Sequence, residues 1–304
     1  MKFCGVKTIF FQIAAWCLGI AGVFAGPMQV TALHPLMADL ARQVGGERVK
    51  VFDLVEEGGN PHRFEPRPAD LKTMRASALI LAGGKGMETY LDRIEAALGG
   101  VTIMEVGRTI PSLAVGKDAV YVCCPHHGAS TIDPHWWHGI ENMRRAARVV
   151  AEEFSKKDPE GKKAYYDAAA AYGKRLAELK KWSKAELGKV PRAKRKLVTE
   201  HNAFGYFARE QGFEVISVAG LSKEQNTTPQ ERAKTIASVR EASVPAVFPE
   251  IGSNSKELEA VAKAAGTKTG EALIADGNGK GSSAGFEGMI RHNVNAIVRA
   301  LATP

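Results

Sequence analysis

One segment limits the architecture more than any other. From Pro159 to about Leu187 the chain carries alanine at 168–171, dense lysine and glutamate, and no further proline until Pro191. That pattern predicts a single long helix, weakened slightly by Gly173. About 29 residues at ~1.5 Å per residue make a rod of roughly 43 Å, the length of a whole domain. Such a rod is suited to joining two halves of a fold.

On either side the hydrophobic pattern switches between two periods. Gln29–Leu33 reads as a strand, and Pro35–Gly45 as a helix with Leu36, Leu40, Ala41 and Val44 on one face. Arg48–Val55 alternates like a strand, Pro68 opens a helix, and Ala78–Ala82 is a continuous apolar run suited to a buried parallel strand. Met87–Leu98 reads as a helix, Val101–Val106 as a strand, 108–134 as irregular, and Glu141–Phe154 as a helix. Beyond the long helix the same grammar returns. Lys196–Thr199, Glu214–Val218 and Ala246–Phe248 read as strands; Ala203–Gln211, Pro229–Ala242, Lys256–Ala265 and Gly288–Leu301 read as helices. Strands alternating with helices predict an α/β fold with parallel sheets, in two βα lobes. At 304 residues, 45% hydrophobic and 24% charged, the chain has ordinary globular composition and length for both lobes. The expected boundaries are 26–157 for the first lobe, 158–190 for the linking helix and 191–304 for the second lobe.

Residues 1–25 stand apart. Lys2 and Lys7 precede an apolar run from Ile9 to Phe24 broken only by Gln12, and Val23-Phe24-Ala25 offers cleavage after Ala25. This predicts a signal peptide and an exported, periplasmic protein, because the run is short of the roughly 20 residues a spanning helix needs. A lipid-anchor site is not expected, since Trp16 precedes Cys17 where a small residue belongs. The net charge of +8 falls to +6 without Lys2 and Lys7. Its lysines cluster in 156–196, on a helical pattern, so no nucleic-acid partner is expected. Two cysteines remain, Cys123 and Cys124, beside His126 and His127. A vicinal disulfide, an intermolecular bond, free thiols and a soft-metal trap all fit that spacing.

The chemistry lies in the histidines. No HExxH, CxxC, GxSxG or GxxxxGK[ST] is present, and Gly83-Gly84-Lys85-Gly86 and 277–285 read as loops without phosphate-loop spacing. Three imidazoles share a setting: His62 after Asn60-Pro61, His135 after Asp133-Pro134, and His201 just past the strand Leu197-Val198-Thr199. In open α/β sheets ligands bind beyond the carboxyl ends of strands. A preceding proline restricts the backbone, so two of these rings lose less entropy when they bind.

The segment "HPLMADLARQVGGERVKVFDLVEEGGNPHRFEPRPADLKTMRAS" resembles the zinc/manganese solute-binding proteins of ABC importers, which show a gly-x-DPH-x-[YF]-EP-x-[PS]-x-DL pattern there. "DPHWWHGIENM", "TEHNAFGYFAREQGFEV", "VPAVFPEIGSNSKELEAVAKAAGTK" and "MIRHNVNAIVRAL" resemble the family's later motifs in order, over essentially the whole mature chain. The resemblance implies two α/β lobes bridged by one rigid helix, with a single metal in the interlobe cleft. It implies His62, His135, His201 and Asp276 (in "LIADGNG") as ligands, with Glu250 as a substitute or supporting group. Asp133, Glu65 or Glu200 would orient imidazoles. It implies a binding protein, not an enzyme, and a monomer. Its partners would be an inner-membrane permease with a cytoplasmic ATPase, and a zinc chaperone.

Manganese-binding relatives typically carry glutamate at the third position and zinc-binding ones histidine, as here at His201. Three imidazoles and one carboxylate suit four-coordinate Zn2+ better than Mn2+, which favours more oxygen. Manganese or iron import, a secreted zinc enzyme and an adhesin are the alternatives. Two departures stand out: Asn60 replaces the usual aspartate, and His138 stands where leucine is common. His138 is either an alternative ligand or a surface histidine. The histidine-rich loop of many zinc members has shrunk to "CCPHHGAS".

Overall fold

A computed structural model describes residues 26–55, 59–115, 121–122, 132–219 and 228–302. The segment read as a signal peptide, and Cys123, Cys124, His126 and His127, lie outside the described residues.

The first half builds β1 (Met28–Ala32), α1 (Pro35–Gly45), β2 (Val49–Asp53), α2 (Pro68–Arg75), β3 (Leu79–Ala82), α3 (Leu91–Leu98) and β4 (Ile103–Glu105). These four strands form a parallel sheet in the order β2-β1-β3-β4. The apolar run Leu79–Ala82 is fully buried, as a central parallel strand requires. Two short antiparallel strands follow, β5 (Ser112–Leu113) and β6 (Tyr121–Val122), inside the stretch read as irregular. Strands of two residues give no periodicity to detect, so that difference has a simple cause.

Next come α4 (Ile140–Lys157) and α5 (Lys162–Leu187). The long helix is 26 residues, and its predicted first turn is instead a 3-10 turn, Pro159–Gly161. The Asp158 side chain accepts from Gly161 N at 3.2 Å, so the chain is capped one turn before α5 begins. Asp158 also accepts from Arg48 and from the Tyr165 hydroxyl, tying the start of the rod to the first sheet.

The second half comprises β7 (Lys196–Thr199), α6 (Gly205–Gln211), β8 (Glu214–Ser217), α7 (Pro229–Ala242), β9 (Ala246–Val247), α8 (Lys256–Ala265), β10 (Lys268–Thr269) and α9 (Gly285–Leu301). β7 pairs with β8 and β9 with β10, both parallel. A Thr199–Phe248 bridge, with Phe248 N donating to Val198 O at 2.8 Å, joins the pairs as β8-β7-β9-β10. Each half therefore places its second strand beside its first, then its third and fourth. This common order explains the shared βα grammar without any residue-level repeat.

The last helix crosses back. α9 packs on α5 and α1, with Phe286 N donating to Asp39 Oδ2 and Arg175 bridging Glu287. The core runs continuously from the first sheet through α4 and α5 to α9, and includes Trp136, Phe154, Tyr172, Phe207 and Phe286. No helix among the described residues is long and apolar enough to cross a membrane.

The stretch 83–86 is a loop, and 277–285 runs through a 3-10 turn, Gly281–Ser283, into α9. Gly84 and Gly86 take positive φ, and so does Lys85 at 59°. The amides of Gly83 and Gly84 donate to the Glu88 carboxylate at 2.6 and 2.9 Å, so the donors a phosphate would need are already engaged. Burial pushes the Glu88 carboxyl up to about 7.

Candidate metal centre

The residues singled out from four separate motifs meet. One ligand-capable atom from each of His62, His135, His201 and Asp276 lies within 4.8 Å of every other. The Nε2 atoms of His135 and His62 are 3.4 Å apart, and those of His201 and His135 are 3.3 Å apart. Asp276 Oδ1 stands 3.5 Å from His62 Nε2, 3.7 Å from His201 Nε2 and 3.9 Å from His135 Nε2. Donors bound tetrahedrally at ~2.0–2.1 Å stand about 3.3 Å apart. The arrangement is that of four corners around one small cation.

Each ring is aimed by its own local device. His62 lies in a 3-10 turn, Pro61–Arg63, whose N-cap Asn60 accepts from His62 N at 2.9 Å. Asparagine thus preserves the Asx turn that an aspartate would make, without the charge. His62 is the only one of the four that is not buried, so it lines the mouth of the site.

His135 caps the 3-10 turn Trp136–His138. One oxygen of Asp133 accepts from its backbone N at 2.9 Å and faces its ring Nδ1 at 2.8 Å. His201 follows β7, and the Glu250 carboxylate grips it in the same way: Oε1 takes the backbone N at 3.0 Å and Oε2 faces Nδ1 at 2.6 Å. A carboxylate next to Nδ1 holds the proton there and leaves the Nε2 lone pair for a cation. Burial pushes His135 below the usual histidine range, against the opposing pull of Asp133. Its ring is therefore neutral and ready to coordinate near neutral pH.

Glu250 and His138 each have a definite place beside the cluster. Glu250 is not one of the four clustered groups; it is the partner that orients His201. His138 is neither on the surface nor among the four. It is 1% exposed, with Nε2 2.8 Å from Ala275 O and its ring 4.5 Å from that of Phe204. Burial pushes it down to about 3. A 3-10 turn carries it inward, where a spacing of three from His135 alone could not place it.

Sequence reasoning passed over three supports. Trp137 Nε1 donates to Ala275 O at 2.9 Å, and its ring packs edge-on against His135 at 5.3 Å. Asn293, fully buried on α9, exchanges two 2.8 Å hydrogen bonds with Ile274 N and O, just before Asp276. Its only signal was a polar residue on an otherwise apolar helix face. His34 follows β1 as His201 follows β7. Its Nδ1 caps α1 by accepting from Leu36 N at 3.1 Å, and its ring packs 4.3 Å from that of Trp137, tilted by 43°.

His34 supplies a pH prediction. Burial pushes it from 6.5 to about 3, so below pH 6.5 the unfolded chain takes a proton that the folded protein refuses. Its contribution is present above 6.5 and is lost as pH falls toward 3, by about 1.4 kcal/mol per unit. His34→Asn keeps an N-cap acceptor and does not titrate. In urea unfolding of metal-free protein, wild-type stability relative to this variant is expected to fall with that slope below pH 6.5. A difference independent of pH would show that His34 takes its proton equally in the folded and unfolded chains, and would overturn this.

Comparison with known proteins bears on the same site. Residues 30–300 match the family described as zinc-uptake complex component A, periplasmic. The manganese-binding lipoprotein MntA of Bacillus subtilis (strain 168) is 32% identical over 282 residues, covering 90% of each chain. The protein of the same name from Halalkalibacterium halodurans is 27% identical over 277 residues, covering 90% of this chain and 89% of its own. Among solved structures, the periplasmic zinc-binding protein TroA from Treponema pallidum matches with a TM-score of 0.81 at 27% identity. That match covers 91% of this chain and 100% of TroA.

Proposed function

The chain belongs to the periplasmic zinc-uptake complex component A family, and from that premise we propose that its cargo is Zn2+, held by His62, His135, His201 and Asp276. The coarser statement needs no proposal: this is an exported, metal-binding, substrate-binding component of an ABC importer, a family of binding proteins and not of enzymes. Such a component works with a membrane permease and its ATPase.

One observation carries the choice of metal. Three imidazole Nε2 atoms and one carboxylate oxygen come together, with five of their six pairwise separations at 3.3 to 3.9 Å. That donor set is nitrogen-rich and has four members. Zn2+ takes such a set readily, whereas Mn2+ is better served by carboxylates and water in a larger shell. The names of the Bacillus and Halalkalibacterium relatives favour Mn2+ as a second reading; the third imidazole, His201, opposes it.

In this reading the cation enters past His62, the partly exposed ring, and meets His135 and His201 already turned by Asp133 and Glu250. Asp276 offsets part of the charge and closes the shell. The chain acts in the periplasm as a monomer after loss of residues 1–25. Release follows a modest shift of a lobe or loop on docking at the permease, because a single long helix limits wider closure. Native mass spectrometry with elemental analysis of protein purified from the periplasm tests the choice. One zinc per chain is expected. Stoichiometric manganese, or no bound metal after a zinc challenge, would overturn it.

A further inference from the structure

Like His201, Asp276 lies in a bend and not in a helix or strand, shortly after Leu273. Its position depends on the two residues before it. Asn293 of α9 fixes Ile274 N and O. The carbonyl of Ala275 accepts two hydrogen bonds, from Trp137 Nε1 at 2.9 Å and from His138 Nε2 at 2.8 Å. A carbonyl only accepts, so the His138 proton sits on Nε2. Both donors belong to the short turn that begins at His135.

From this juxtaposition we infer that His138 is a positioning residue that sets the coordination number of the site, and through it the preference for Zn2+ over Mn2+. The inference rests on the reading that Asp276 and the three histidines hold the cation. With Ala275 O clamped twice, Asp276 is fixed with one oxygen, Oδ1, facing all three imidazoles. A single carboxylate oxygen completes a four-coordinate shell. Removing the His138 donor leaves the carbonyl to Trp137 alone, and the bend gains freedom to rotate. A carboxylate that rotates can offer its second oxygen, giving the larger, oxygen-richer shell that Mn2+ prefers. The ring also packs on Phe204, three residues beyond His201. One side chain therefore touches the second, third and fourth ligand-bearing segments. Outer hydrogen-bond partners of metal ligands commonly change affinity by roughly 10–100-fold.

The test compares full-length mature chains carrying His138→Leu, His138→Gln and Trp137→Phe. Leucine fills the volume without a donor, glutamine places an N–H where Nε2 was, and phenylalanine removes the other donor while keeping a ring. Zinc and manganese dissociation constants are measured against a chromophoric chelator at pH 7.5. The visible spectrum of the Co2+-loaded protein reports coordination number. His138→Leu is expected to shift the zinc-to-manganese preference toward manganese by roughly tenfold and to weaken the four-coordinate Co2+ bands. Trp137→Phe should move both readouts the same way even if His138→Leu does not fold, and His138→Gln should restore both.

A purely structural role would lower thermal stability while leaving the metal ratio and the Co2+ spectrum unchanged; that result overturns the inference. Asp276→Ala separates the two levels. If it binds zinc as well as wild type, the ligand assignment fails and this inference falls with it. If it loses zinc while His138→Leu and Trp137→Phe match wild type, the assignment stands and only the role of His138 is overturned.

Discussion

His201→Ala is expected to lower zinc affinity by on the order of a thousandfold, beyond the roughly 10–100-fold that follows loss of an outer partner. The ring is fully buried, and its Nε2 stands 3.3 Å from His135 Nε2 and 3.7 Å from Asp276 Oδ1. It is also the member of the proposed ligand set that lies just beyond β7. Without it three donors remain, and the missing corner is lined by protein, so water does not replace the imidazole freely. The substitution also removes the ring that faces Glu250 Oε2 at 2.6 Å, leaving a carboxylate 3% exposed with one fewer donor. Both effects act against binding a cation in defined geometry. Competition with a chelator of known affinity gives the number, and unchanged affinity would remove His201 from the site.

The same residue shows what a single sequence can reveal and what it hides. His62, His135 and His201 each follow a strand or a proline turn, and the α/β grammar places such positions at one edge of a sheet. That logic is local, so it is legible. The element order was legible for the same reason: Pro35–Gly45, Lys196–Thr199, Pro229–Ala242 and Lys256–Ala265 all stand where period and capping residues placed them. Miscounted ends have local causes too. α3 begins at Leu91 rather than Met87, because Glu88 turns back to hold the Gly83 and Gly84 amides.

What stayed hidden is long-range. Glu250 lies 49 residues from His201, and Asn293 lies 19 residues from Ile274. His138 lies 137 residues from Ala275. No spacing rule relates such pairs; they exist because α9 folds back on α5 and because the two sheets present their strand ends to each other. His138 in particular carries the same chemistry as a ligand. Only the direction of its turn separates a coordinating imidazole from one that donates to a carbonyl.

Glu250→Gln tests how far that buried orientation matters, and it is expected to cost roughly 10–100-fold in zinc affinity with little change in volume. In the wild type both carboxylate oxygens accept, one from His201 N at 3.0 Å and one facing Nδ1 at 2.6 Å. An amide offers only one acceptor. If its oxygen takes the backbone N–H, its NH2 faces Nδ1, and the ring can satisfy it only by moving the proton to Nε2. A protonated Nε2 cannot bind a cation, so the wrong tautomer must be reversed before coordination. If the amide flips, the backbone N–H loses its partner instead, at the cost of a buried unsatisfied donor. The first arrangement leaves no buried N–H unpaired and is the one expected, so the loss comes from the proton's address and not from a missing ligand. Nitrogen-15 chemical shifts of the His201 ring should therefore move from the Nδ1–H to the Nε2–H pattern in metal-free Glu250→Gln. His201→Ala should weaken binding further. Wild-type affinity with an unchanged tautomer in Glu250→Gln would show that burial alone, without the carboxylate, orients the ring.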